Sequence, residues 1–79
     1  MIEVYCYYKK REYTDRNEAI KFYKEAVRNS DGAEKQRYMN VLDDLEDGLL
    51  ICWDGISPLP KNTADAYESQ FDDLDEEDY

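Results

Sequence analysis

The spacing Asp-x-x-Glu occurs at Asp15/Glu18 and again at Asp31/Glu34, each time just ahead of residues with helical periodicity. This is the spacing of a capping box, in which the first side chain accepts a free amide of the opening turn and the Glu reaches back to the cap amide. Each therefore predicts a helix start. Ala19, Ile20, Tyr23, Ala26 and Val27 recur at three- and four-residue intervals and form one apolar stripe, with Lys21, Lys24, Glu25 and Arg28 away from it. That helix should end near Asn29, where Ser30, Asp31 and Gly32 interrupt the pattern. Tyr38, Val41, Leu42 and Leu45 supply the second stripe, and Gly48 is placed to stop the helix in a left-handed conformation. A helical hairpin with a short connection is the only economical arrangement of these signals.

What flanks the hairpin reads as strand. Ile2 to Tyr8 alternates, with Ile2, Val4, Cys6 and Tyr8 on one face and Glu3, Tyr5 and Tyr7 on the other. Lys9, Lys10 and Arg11 then read as a charged turn, and Glu12, Tyr13 and Thr14 as a short second strand. Leu49 to Trp53, bounded by Asp54 and Gly55, is too short for a helix and reads as a third strand. The expected fold is α+β: a small antiparallel three-stranded sheet with the helical hairpin packed on one face, in the order ββααβ. Residues 1–56 form the folded domain. Pro58 and Pro60, which remove backbone donors and restrict the residues before them, open an acidic tail over residues 57–79. Within it Thr63 could cap a short docking helix carrying Ala64, Tyr67, Phe71 and Leu74 on one side.

A chain of 79 residues holds one small core, and its 42% hydrophobic and 14% aromatic content is too high for a wholly disordered protein despite a net charge of -10. No apolar run approaches the roughly 20 residues that cross a bilayer, and the N-terminus lacks a signal-peptide core. A cytoplasmic protein of a bacterial host cell, with no membrane partner, is the expectation. Two cysteines, Cys6 and Cys52, with no histidine, make neither a metal site nor a disulfide framework, and no cofactor is expected. Catalysis is disfavoured. There is no His for proton transfer, no Ser or Cys with an evident activating base, and no Gly-rich phosphate loop. Direct nucleic-acid binding is disfavoured as well, because the single basic cluster, Lys9 to Arg11, sits on an acidic protein.

The acids are unevenly placed. Lys61 to Tyr79 carries one Lys against eight carboxylates, ending in Asp72, Asp73, Asp75, Glu76, Glu77 and Asp78. Such blocks repel themselves, stay solvated and suit docking to something basic. Asp43, Asp44, Glu46 and Asp47 stand at the C-terminal end of the second helix, where the helix dipole makes acids unfavourable by about 0.3–1 kcal/mol each. A broken local rule points to a functional surface. Asn40, Asp43, Asp44 and Asp47 share one helical face, read here as opposite the Val41, Leu42, Leu45 stripe. Carboxylates about 5 Å apart, one helical turn, resemble in spacing the phosphates found about every 3.4 Å along a DNA strand. A second candidate surface is aromatic: with helices on one sheet face, some of Tyr5, Tyr7, Tyr13 and Trp53 should lie on the other and form a partner patch, the bland alternative being that they complete the core.

The stretch VYCYYKKREYTDRNEAIKFYKEAV followed by DGAEKQRYMNVL, from Val4 to Leu42, resembles small acidic proteins of phages and conjugative elements of Gram-positive bacteria. As a class such proteins resemble anti-CRISPR inhibitors, which implies a partner that is a basic nucleic-acid-binding protein such as a CRISPR effector. The resemblance assigns no residue roles. The expected function is a small acidic inhibitor, a partial DNA mimic that blocks nucleic-acid access. The alternatives are an adaptor or regulatory homodimer binding through the Tyr/Trp face, and a nucleotide-sequestering protein, which would need a basic or aromatic pocket that an acidic chain supplies poorly.

Overall fold

The computed structural model describes residues 1–75, with side chains through Phe71. The chain runs β1 (Ile2–Cys6), β2 (Lys9–Tyr13), α1 (Arg16–Arg28), α2 (Gly32–Glu46), β3 (Ile51–Trp53) and α3 (Lys61–Asp75). It is α+β, with one three-stranded sheet in the order β2-β1-β3. β1 and β2 pair antiparallel, with Ile2 opposite Tyr13, Val4 opposite Arg11 and Cys6 opposite Lys9. β1 and β3 pair in parallel, Val4 opposite Cys52 and Tyr5 opposite Trp53. The sheet is therefore mixed rather than antiparallel throughout. The helical hairpin is the reason: β2 reverses β1, α1 and α2 reverse the chain twice more, and β3 starts from the end where β1 starts. Parallel neighbours need a crossover connection of this length.

The first turn also differs from expectation. β1 stops at Cys6, Tyr7 and Tyr8 make the turn, and Lys9, Lys10 and Arg11 belong to β2 instead of forming the connection. Both tyrosines have positive φ, 54° and 63°. A two-residue hairpin loop needs that left-handed backbone to match the strand twist, and Asn-Gly is the usual solution.

Asp15 caps α1 by accepting the Asn17 amide at 2.9 Å. Asp31 precedes α2 in extended conformation but makes no side-chain cap bond. At the far end of α2, Gly48 has φ 87°, its amide reaches the Leu45 carbonyl at 3.1 Å, and the Leu49 amide reaches the Asp44 carbonyl at 3.2 Å. Those two bonds define a Schellman stop, which drives Leu49 into the core. The core lies between the helical hairpin and one sheet face, where Ile2, Val4, Cys6 and Cys52 meet Ala19, Tyr23, Val41, Leu45 and Leu49. α3 opens at Lys61 rather than after a Thr63 cap, because the Pro60 carbonyl accepts the Ala64 amide at 2.8 Å. No helix among the described residues is long and apolar enough to cross a membrane.

Candidate functional site

Four acids crowd the end of α2, but they do not share one environment. Asp43, Glu46 and Asp47 are exposed, and none has an ion-pair partner among the described residues. Asp44 is half-buried: its carboxylate accepts the Trp53 amide at 3.1 Å and the Tyr67 hydroxyl at 2.8 Å. Burial raises its pKa against the opposing effect of those two bonds. Asn40, one turn earlier, donates to the Asp54 carbonyl at 2.8 Å. The helix face expected to be wet thus turns Asn40 and Asp44 toward β3 and the loop after it, and Asp44 is withdrawn from the contact surface. The unfavourable helix end is offset from outside α2. Arg16, in the first turn of α1, donates to the carbonyls of Leu45 at 2.8 Å and Gly48 at 3.1 Å. A cation there complements the negative pole of the helix.

α3 joins the same region. The Gln70 side chain behaves like a strand residue: its oxygen accepts the amides of Leu50 and Ile51, each at 2.9 Å, and its nitrogen donates to the Ile51 carbonyl at 2.9 Å. This covers the free edge of β3, which would otherwise offer unpaired backbone groups. Tyr67 stands edge-on to Trp53 at 5.5 Å and to Phe71 at 5.1 Å. Asp65 and Glu68 remain exposed on α3, as Asp43, Glu46 and Asp47 are on α2, and the Tyr67–Asp44 bond ties the two helices together. Asp72, Asp73 and Asp75 fall in the last turn of α3, while Glu76, Glu77 and Asp78 lie outside the described residues.

The candidate aromatic residues divide between the two sides of the sheet. Tyr5 and Trp53 are register partners on the sheet face away from the hairpin, whereas Tyr13 pairs with Ile2 and so shares the core-facing side. Tyr13 lies 6.2 Å from Tyr23 and 6.5 Å from Phe22, and Tyr7 sits in the turn, 5.7 Å from Tyr38. Sheet alternation thus leaves Tyr5 and Trp53 together on the outer face and puts Tyr13 on the other side.

The densest polar cluster was not foreseen. Asp54, fully buried, accepts the amides of Tyr7 at 3.2 Å, Ile56 at 3.0 Å and Ser57 at 2.8 Å, and the Ser57 hydroxyl at 2.9 Å. The Arg37 guanidinium is 3.4 Å away. Burial opposes the Asp54 charge, but the amides of Ser57, Ile56 and Tyr7 outweigh it, and its pKa falls below the ordinary value. Ser57 in turn accepts the Tyr8 amide at 3.0 Å. The strained Tyr7–Tyr8 turn is thereby held by both side chains of the loop after β3. Asp-Gly-x-Ser after the third strand was a legible turn signal, because an Asp there accepts amides two and three residues on. What it gave no hint of was the hairpin turn it would grip.

A groove of about 290 Å³ lies beside that turn, between β2 and the helical hairpin, lined by Tyr7, Lys9, Arg11, Phe22, Glu34 and Tyr38 with Cys6 and Tyr23 beneath. Lys9 and Arg11 pair with Cys6 and Val4, so they project on the core-facing side of the sheet, at a place the helices do not cover. Arg11 rests 5.6 Å from the Phe22 ring centroid. Burial pushes the Cys6 thiol up to about 11 and the Cys52 thiol up to about 12, so both are protonated and unreactive near neutral pH. Comparison of the chain with protein-family models, with curated proteins and with solved structures finds no match.

Proposed function

We propose that this chain is a small acidic inhibitor that binds a basic, nucleic-acid-binding protein and blocks its access to nucleic acid. The observation that supports the reading is that Asp43, Glu46 and Asp47 are exposed with no ion-pair partner among the described residues, on a helix against which the acidic α3 docks. α3 docks through Tyr67 onto α2 and through Gln70 onto β3, Asp65 and Glu68 are exposed on α3, and Asp43, Glu46 and Asp47 are exposed at the end of α2. Carboxylates left without cations on a folded scaffold favour a partner that supplies them, and complementary charge accelerates encounter as well as selecting the partner. The sequence resemblance suggests a CRISPR effector as the target class, with the acids acting as a partial DNA mimic.

The test is displacement of labelled DNA from a candidate effector, followed by fluorescence anisotropy over a range of salt. Affinity should fall steeply with salt, and D43N/E46Q/D47N should weaken competition while leaving the fold intact. Asp44 is kept, because its carboxylate holds Trp53 and Tyr67. Competition that is indifferent to salt and to the triple variant would exclude the acidic surface as the contact.

A further inference from the structure

We infer that the groove between β2 and the helical hairpin is a binding site for a small planar aromatic anion of the mononucleotide class. This site is separate from the acidic surface, so the two readings stand or fall independently.

The charge pattern is the first observation. The chain has twice as many acids as bases, 20 against 10, yet Lys9 and Arg11 have no ion-pair partner among the described residues. Lys10, between them and on the opposite sheet face, is held by Glu12 at 3.3 Å and Glu3 at 3.8 Å. Lys9 and Arg11 both line the groove, so two cations without a carboxylate partner among the described residues meet at one concave place. Phosphate and carboxylate groups are what a Lys point charge and an Arg fork recognise.

Rings are the second. Tyr7, Phe22 and Tyr38 line the groove, and Tyr23 lies beneath, 6.1 Å from Tyr38 and 5.0 Å from Phe22. Phe22 is 47% exposed, so part of its ring reaches solvent beside the Arg11 guanidinium. Base on aromatic ring is a sequence-tolerant and favourable stacking contact. Glu34, which also lines the groove, can accept from a hydroxyl or exocyclic amine, which a nucleotide carries and a simple aromatic acid does not. At about 290 Å³ the groove is near the lower end of ligand-site volumes, about 300–1,000 Å³, and takes one base with one phosphate.

Backbone strain is the third. Tyr7 contributes its ring from a left-handed position that bulky residues avoid, and Asp54 and Arg37 hold it there, the guanidinium 4.5 Å from the ring centroid. Strain retained by surrounding structure points to use.

The test is titration of the full chain with adenosine 5′-monophosphate and cytidine 5′-monophosphate, with adenosine, inorganic phosphate and a single-stranded tetranucleotide as separate arms. Aromatic resonances of Tyr7, Phe22 and Tyr38 are followed by NMR. The monophosphates should saturate with a Kd of about 1 mM or tighter. The tetranucleotide should bind no more tightly than a monophosphate if the ligand is a free nucleotide, and tenfold tighter binding of it would overturn that assignment. K9Q/R11Q should weaken binding about tenfold or more, since two charge-assisted contacts are lost. F22L, which keeps apolar bulk but removes the ring, should weaken it severalfold with wild-type Trp53 fluorescence. No saturable shift with either monophosphate, equal shifts with phosphate alone, or K9Q/R11Q binding like wild type would each refute the site.

Discussion

Replacing Asp54 with Ala tests the cluster on which both the hairpin turn and the groove depend. The substitution strands the amides of Tyr7, Ile56 and Ser57 and the Ser57 hydroxyl. Ile56 is 47% exposed and its amide can return to water, but Ser57 is 1% exposed and its donors cannot. Each stranded buried donor costs about 1–3 kcal/mol, so with the partly buried Tyr7 amide the expected loss is about 3–5 kcal/mol. A small domain has roughly 5 kcal/mol in total at the low end, and 1 kcal/mol moves Tm by about 4–8 °C at this size. Tm should therefore fall by about 12–40 °C. Urea and thermal unfolding followed by fluorescence of Trp53, the one Trp in the chain, report it, because its indole donates to the Ser57 carbonyl at 2.6 Å. The pH dependence gives a second reading. With its folded pKa lowered, Asp54 binds a proton more tightly in the unfolded chain, so its stabilisation is complete above the unfolded value of about 4 and is lost as pH falls through the folded value. Asp54→Asn should flatten that acid limb. A loss below about 1 kcal/mol in Asp54→Ala, with the acid limb unchanged, would refute the reasoning.

Asp44 should behave in the opposite sense. Its folded pKa is raised, so the ionised form subtracts from stability at neutral pH and the deficit is relieved as pH falls. Asp44→Asn, which keeps an acceptor, should be no less stable than wild type at pH 7, whereas Asp44→Ala should lose about 1 kcal/mol or more; urea midpoints at pH 7 and pH 5 distinguish them. Gln70→Ala should speed amide exchange at Leu50 and Ile51 and lower stability by about 1–2 kcal/mol, and unchanged exchange there would show that Gln70 does not close the β3 edge. Tyr8→Gly should stabilise the chain by about 1 kcal/mol in urea, since Tyr8 is 68% exposed and has φ 63°.

Local signals carried the helices. Asp15, the stripe from Ala19 to Val27 and Gly48 place α1 and the end of α2 through bonds between residues close in the chain, which spacing alone records. The turn at Tyr7–Tyr8 was illegible for the converse reason. Its left-handed backbone contradicts the preference of tyrosine and is tolerated because Asp54 and Ser57, from across the sheet, hold the two amides. Asp44 shows the same limit: helical periodicity assigned it to a solvated face, and the position of β3 and α3 turned that face inward.

By itself, the sequence determined the α+β class, the helical hairpin and the separation of an acidic end from a mixed-charge body, since periodicity, capping and charge runs are properties of neighbouring residues. Only the tertiary structure decided that β3 runs parallel to β1, that Gln70 closes its edge, and that Lys9 and Arg11 overhang a groove of aromatic rings. Those facts depend on which strands pair and in what register, and a shift of one residue would send every side chain to the other face.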